Sequence, residues 1–198
     1  MPLLLIRHAK TAASRPGAWQ GDIDVPLAED ANVQLVALAG RCARLPIHRV
    51  LASPLTRTVE TAKAVSEACK VRIETTDDLR EMRLGAFEGL TLGEMEARFP
   101  EAFRAYITDT VNVAPPGGEP FATMQRRVVA FAHALAAVDE LIVLVTHTGP
   151  ILALVCAALR LDPRERVRLQ PAACSLSRLQ YKADEFVLQS FNDVAHLE

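Results

Sequence analysis

Residues 141–159 read LIVLVTHTGPILALVCAAL. Five apolar residues run unbroken into Thr146 and His147, and a second apolar stretch follows Pro150. An uninterrupted apolar run of this length is the pattern of a strand buried on both faces. Gly149-Pro150 then opens a helix, giving a strand–histidine–helix unit. LLLIRHAK, residues 3–10, repeats the first half of that pattern: a short strand over 2–6 runs into Arg7 and His8. Between the two, HRVLASPLTRTVETAKAVSEACK (48–70) supplies another strand, Arg49–Ala52, and another helix. Ser53 suits the N-cap of that helix and Pro54 its first position. Val59, Ala62 and Cys69 mark its inner face.

The remaining segments extend the alternation. Residues 28–45 predict a helix with Leu35, Leu38, Cys42 and Leu45 on one stripe and Pro46 beyond its end. Residues 71–74 (VRIE) form a short strand. Thr91 and Glu94 form a capping box ahead of a helical stretch that Pro100 interrupts or bends. NVAPPGGEP, residues 112–120, is the strongest loop signal in the chain. Phe121, Met124, Val128, Phe131 and Leu135 step by three and four along an amphipathic helix. Residues 174–191 alternate like two strands joined by a turn at Lys182–Glu185. The expected fold is α/β: a three-layer sandwich with a mostly parallel central sheet, helices on both faces and an antiparallel C-terminal element. One domain over 1–198 is expected, with the segment at about 88–120 as a small helical lid. Phe99, Phe103 and Tyr106 either pack that lid or line a pocket beneath it.

The composition is that of an ordinary soluble domain: 198 residues, 50% hydrophobic, 23% charged, formal net charge −2. No basic face for nucleic acid or anionic lipid is implied. No apolar run reaches the roughly 20 residues that span a bilayer. The N-terminus has no basic region ahead of its apolar stretch, so it does not read as a signal peptide. Cys42, Cys69, Cys156 and Cys174 show no C-x-x-C spacing and read as reduced residues of a cytoplasmic protein. The five histidines show no metal-ligand spacing. Neither metal nor cofactor is expected, and oligomeric state stays open, a homodimer included.

In open α/β sheets ligands bind where parallel strands end and loops lead into helices. Arg7 and His8, Arg57 at the start of the second helix, and His147 all belong to such ends. Two guanidinium groups match phosphate oxygens in fork geometry and keep their charge. Imidazoles with ordinary pKa near ~6.5 serve as donors or nucleophiles near neutral pH. Helix N-termini add backbone N–H groups. The set suits phosphoryl transfer through a neutral histidine nitrogen. Three acids, Glu81, Glu88 and Glu119, lie in neighbouring loops.

The segments LLLIRHAKT, WQGDIDVPL, LASPLTRTVETA, DLREMRLGAFEG, PPGGE and VLVTHTGPI, with NDVAHL near the end, resemble in order and spacing the histidine phosphatase superfamily, also called the phosphoglycerate mutase-like family. The resemblance implies that His8 accepts the phosphoryl group and that Arg7, Arg57 and His147 surround it. It implies Glu81 as the acid that protonates the leaving oxygen. Gln20 and Gly21 fall on a substrate-contacting loop, and Ser14 and Thr148 on positions beside the phosphate. Ala9 and Lys10 stand where the family usually carries Gly and Glu, Ser14 where it carries Asn, and Thr148 where it commonly carries Gly. The implied activity is hydrolysis of a small phosphomonoester, with inorganic phosphate as product. The short 88–115 stretch lacks the long insertion typical of cofactor-dependent phosphoglycerate mutases. Size and motif blocks look most like α-ribazole 5′-phosphate phosphatases and broad-specificity small phosphatases. Mutase-type phosphoryl transfer and a non-catalytic phosphate-binding module are the alternatives.

Overall fold

A computed structural model describes residues 1–12, 17–135 and 140–198. Six strands form one sheet in the order β3-β2-β4-β1-β5-β6: β1 (Pro2–Arg7), β2 (Ile47–Ala52), β3 (Ile73–Thr75), β4 (Leu141–Thr146), β5 (Leu176–Lys182) and β6 (Glu185–Asp193). β1 and β2 each pair parallel with β4, and β3 pairs parallel with β2. β5 runs antiparallel to β1, and β6 antiparallel to β5. The two-residue turn between them puts Ala183 and Asp184 at φ of 50° and 63°, the primed-turn geometry that matches strand twist.

Alternate side chains of the strands go to opposite faces. Leu3, Leu5, Leu51, Ile142 and Leu144 join one buried cluster with Met124 and Val128 of α5 (Phe121–Ala134) and Ile151 and Leu154 of α6 (Thr148–Leu159). Leu4, Ile6, Val50, Val143 and Val145 join the other, with Leu38 and Cys42 of α1 (Ala31–Cys42) and Ala62 and Val65 of α2 (Thr56–Cys69). The expected three-layer mixed α/β sandwich is the observed one. β4 is buried at every position, and α6 is buried without a break from Pro150 to Cys156, as the opening stretch requires.

Pro100 does interrupt the capped helix: α3 (Leu92–Arg98) ends before it, and α4 (Pro100–Thr108) begins on it. The Thr91–Glu94 capping box is present. Phe99 and Phe103 pack against the α5–α6 cluster, and Tyr106 is buried beside Trp19 and Phe87.

Three local expectations need correcting. The first helix spans Ala31–Cys42 rather than 28–45, with no side-chain cap at Asp30. The third strand is Ile73–Thr75. The second helix begins at Thr56, two residues beyond the expected Pro54, with Leu55 as its N-cap. Its first N–H is taken by the Asp24 carboxylate at 2.8 Å, which also accepts the Thr56 hydroxyl at 2.7 Å. Its buried stripe is Arg57, Thr58, Thr61, Ala62 and Val65, so Val59 is only half-buried.

Candidate active site

A cavity of about 540 Å³ opens at the carboxyl end of the parallel strands. Arg7, His8, Gln20, Gly21, Arg57, Glu81, Thr148 and Gly149 line it. Trp19, Tyr106, Phe121, Leu152 and Arg166 continue the wall. Of the residues singled out in the sequence, Ser14 lies outside the described ones.

His8 follows the last residue of β1, and its N–H is bound by Thr146 O of β4 at 3.0 Å. Its Nδ1 lies 2.7 Å from Ala9 O. A carbonyl only accepts, so Nδ1 carries the hydrogen and Nε2 is the lone-pair nitrogen. Burial, with Arg57 and Arg7 nearby, pushes its pKa down to about 3. His8 is therefore a neutral, oriented imidazole at neutral pH. The next residue is anchored too: Ala9 N donates to Thr61 Oγ1, which donates to Arg57 O. Ala9 packs in the α1–α2 cluster without a positive φ, so the position asks for no glycine. Lys10 turns outward to Asp30, at 2.6 Å, and does not line the cavity.

Arg57 sits at the second position of α2, where a positive charge is mildly unfavourable. It is nonetheless 1% exposed. Its terminal nitrogens donate to Ile23 O (2.6 Å) and Gly21 O (2.8 Å), and its Nε donates to His147 Nδ1 at 3.2 Å. Since Nδ1 must accept, His147 carries its hydrogen on Nε2 and donates it to Ser53 Oγ at 2.9 Å. That bond occupies the hydroxyl that the sequence suggested as a helix cap. His147 is fully buried, meets His8 edge-on at 5.2 Å between ring centroids, and does not line the cavity. Burial and the neighbouring His8 and arginines hold its pKa well below the ordinary 6.5. Arg7 donates to Pro171 O at 2.7 Å, and its buried Nε has no hydrogen-bond partner among the described residues.

Glu81 is the acid that reaches the cavity. Its two oxygens accept from Met82 N at 2.9 Å and from Gly149 N, in the first turn of α6, at 3.1 Å. Burial pushes its pKa above the ordinary 4.5, against the pull of those donors and of Arg57 and Arg7. A Cβ on Gly149 would fall 2.1 Å from Glu81 Oε1, so only glycine admits the carboxyl there. The loop holding Glu81 is fixed at its start by Thr146 Oγ1 on Leu79 O, 2.7 Å. Farther on, Gly85, with φ +54°, lies so close to the Pro116 and Gly117 backbone that a Cβ would meet Pro116 O at 2.2 Å. The other two acids are occupied elsewhere. Glu88 accepts from Asp22 N and Leu84 N, and Glu119 from Arg83 N and Arg127. Gln20 donates to Thr11 Oγ1. Sequence reading missed Ser53, Thr61 and Arg166, since none stands in a pattern that marks a ligand or catalytic group.

Among the described residues, no group of three or more His, Cys, Asp or Glu could hold a metal ion. Nor is any helix long and apolar enough to cross a membrane.

The fold and this constellation define a phosphoryl-transfer enzyme: the chain belongs to the histidine phosphatase superfamily (branch 1), whose family model matches residues 3–194. Its members are phosphatases and mutases. The chain is 32% identical to phosphoserine phosphatase 1 of Hydrogenobacter thermophilus over 162 residues, 81% of this chain and 77% of that one. It is 31% identical to phosphoglycerate mutase-like protein 4 of Arabidopsis thaliana over 201 residues, 99% of this chain and 86% of that one. The α-ribazole phosphatase of Shigella flexneri shares the fold, with a TM-score of 0.88 over 98% of this chain and 96% of that one, at 24% identity.

Proposed function

We propose that this chain hydrolyses small phosphomonoesters through a phosphohistidine on His8. The observation that carries the reading is the neutral His8, its Nδ1 hydrogen committed to Ala9 O, on a cavity wall shared with Arg7, Arg57 and Glu81. Arg7 and Arg57 grip the phosphoryl oxygens and neutralise the charge that a loose transition state spreads over them. The Nε2 lone pair of His8 attacks phosphorus; a P–N bond forms as the P–O ester bond breaks. Glu81, protonated, gives its proton to the leaving oxygen. Water then attacks the phosphohistidine while the Glu81 carboxylate takes its proton, releasing inorganic phosphate and restoring both groups. His147 acts as a positioning residue, holding Arg57 Nε. Gln20, Gly21 and Thr148, which line the cavity, contact the substrate beside the phosphate, and the α3–α4 segment covers the cavity as a lid.

These steps use only histidine, arginine and carboxyl groups. The test is release of phosphate from p-nitrophenyl phosphate in the presence of EDTA. Turnover is expected to persist; loss on EDTA treatment with recovery on adding a metal contradicts the reading. The likeness to a mutase-like protein keeps a second reading, transfer of the phosphoryl group back to substrate. Interconversion of 3- and 2-phosphoglycerate without phosphate release would support it. The likeness to α-ribazole phosphatase is one of fold and does not choose the substrate.

A further inference from the structure

NDVAHL, residues 192–197, is a motif block that the chemistry above leaves unused. It begins at the end of β6, where the pairing with β5 is irregular. Ser190 lies opposite Arg178 and Asp193 opposite Leu176, so Phe191 and Asn192 together face Ser177. Two residues against one make a β-bulge, which bends a strand and re-aims a side chain. Asn192 takes a φ of 57°, a left-handed conformation that asparagine tolerates better than most residues. Its backbone N–H is received by the buried Ser177 hydroxyl at 3.1 Å.

The re-aimed side chain meets the loop that leads into β5. Asn192 Oδ1 accepts the N–H of Ala172 at 2.7 Å. The carbonyl of that same peptide group belongs to Pro171, and it accepts from Arg7 Nη1 at 2.7 Å. Among the described residues this carbonyl is the only hydrogen-bond partner of the Arg7 guanidinium. One planar trans peptide therefore joins the two side chains. Its N–H and C=O point in opposite directions, so holding one sets the direction of the other. The Pro171 ring fixes φ on the near side of the group, which leaves it fewer ways to swing. Hydrogen bonds in series through an amide also polarise it and strengthen the bond to the cation. The rest of the loop is held by the end of β1: Cys174 N donates to Arg7 O at 3.0 Å, and Arg7 N to Ser175 O at 3.3 Å. Asn192 thus grips the part of the loop that the guanidinium touches, while the β1 backbone grips the remainder.

We propose that Asn192 is a positioning residue for phosphoryl transfer, setting the Arg7 guanidinium on the phosphoryl oxygens through the Pro171–Ala172 peptide. The proposal rests on the phosphatase reading and adds to it a residue outside the cavity wall. Arg7 meets oxygens that every phosphomonoester shares, so a fault in its position is felt equally whatever group leaves.

The test uses substitutions that spare the bulge. Asn192→Gly keeps the positive φ at no steric cost and keeps the N–H for Ser177, but removes the acceptor for Ala172. Asn192→Asp keeps an oxygen in the same place. Asn192→Ser, whose oxygen falls one bond short, stands in if the glycine variant does not fold. Each is compared with wild type for kcat/KM on p-nitrophenyl phosphate and on an alkyl phosphate, for the Kd of inorganic phosphate, and for Tm, with activities measured well below Tm. Small misplacements at a reacting centre cost up to about 10²-fold. Asn192→Gly is expected to lower kcat/KM by about 10- to 100-fold, by the same factor on both esters, and to weaken inorganic phosphate. Asn192→Asp is expected to recover most of both. A glycine variant with wild-type kcat/KM, whatever its Tm, makes Asn192 a strand-end residue only and overturns the proposal. Equal losses in the glycine and aspartate variants overturn it, because the acceptor is then not what matters. A loss confined to the alkyl phosphate overturns it as well, since that is the mark of a fault at Glu81. The two levels separate on wild type: no turnover of any ester sinks the phosphatase reading, while the Kd of inorganic phosphate still tests the link from Asn192 to Arg7.

Discussion

Glu81 is pulled in two directions, and its catalytic worth depends on the balance. Burial favours the protonated form, while Met82 N–H, Gly149 N–H and two arginines favour the charged one. A general acid must hold its proton, so kcat/KM for an alkyl phosphate should fall as pH rises through the raised Glu81 pKa. Glu81→Gln should remove that alkaline limb and slow alkyl phosphates by about 10²–10⁴-fold. p-Nitrophenyl phosphate should suffer less, because its leaving group needs no proton. If the ratio between the substrate types moves instead for Glu88→Gln or Glu119→Gln, the acid is misassigned. Gly149→Ala sharpens the case, since the added methyl would occupy the place of Glu81 Oε1. That variant should reproduce the Glu81→Gln substrate ratio in a protein whose Glu81 is intact; a ratio like wild type would show that the carboxyl does not act from where it sits.

At the scale of elements, α2 matters most because it carries Arg57. Ser53-Pro54 reads as a helix start since serine caps and proline begins helices. The chain uses them otherwise: Ser53 receives His147 Nε2–H, and the cap comes from Asp24, 32 residues upstream. No local pattern discloses a cap delivered from so far away. Asp24→Ala should therefore cost about 1 kcal/mol of stability, or roughly 2–4 °C in Tm for a chain of this size. Thermal unfolding checks it, and an unchanged Tm would mean that water replaces the carboxylate without loss. Other elements were legible because their signals are local: the all-apolar β4, the Thr91–Glu94 box and the Pro100 break each act within a few residues. The edges of α1 and β3 were not, because sheet register and packing against neighbours set them. For the site, the strand ends announced Arg7, His8, Arg57 and His147. That His147 sits behind the cavity rather than in its wall follows from Arg57 and Ser53 claiming both its nitrogens, which only the folded chain reveals.

For the molecule as a whole, two buried neutral histidines make stability depend on pH. An unfolded histidine titrates near its ordinary 6.5, whereas folded His8 does so at about 3 and His147 well below 6.5. Above about pH 6.5 both states are neutral and the full stability is present; as pH falls from there toward 3 the unfolded state alone takes up protons, and stability is lost. Tm should drop on going from pH 7 to 4.5, and the drop should be smaller in His8→Asn, which removes one of the two titrations. Equal drops in both proteins would mean that His8 is not held neutral by the fold. The same held neutrality is what makes His8 a nucleophile, so the central claim is chemical and can be read directly. The protein is mixed with ³²P-labelled phosphomonoester, quenched in alkali during turnover, and digested for mass spectrometry. The predicted result is a base-stable, acid-labile phosphoryl group on the peptide containing His8, absent from His8→Ala, which should itself be inactive. Active enzyme that carries no such label, or carries it on another residue, would contradict the account.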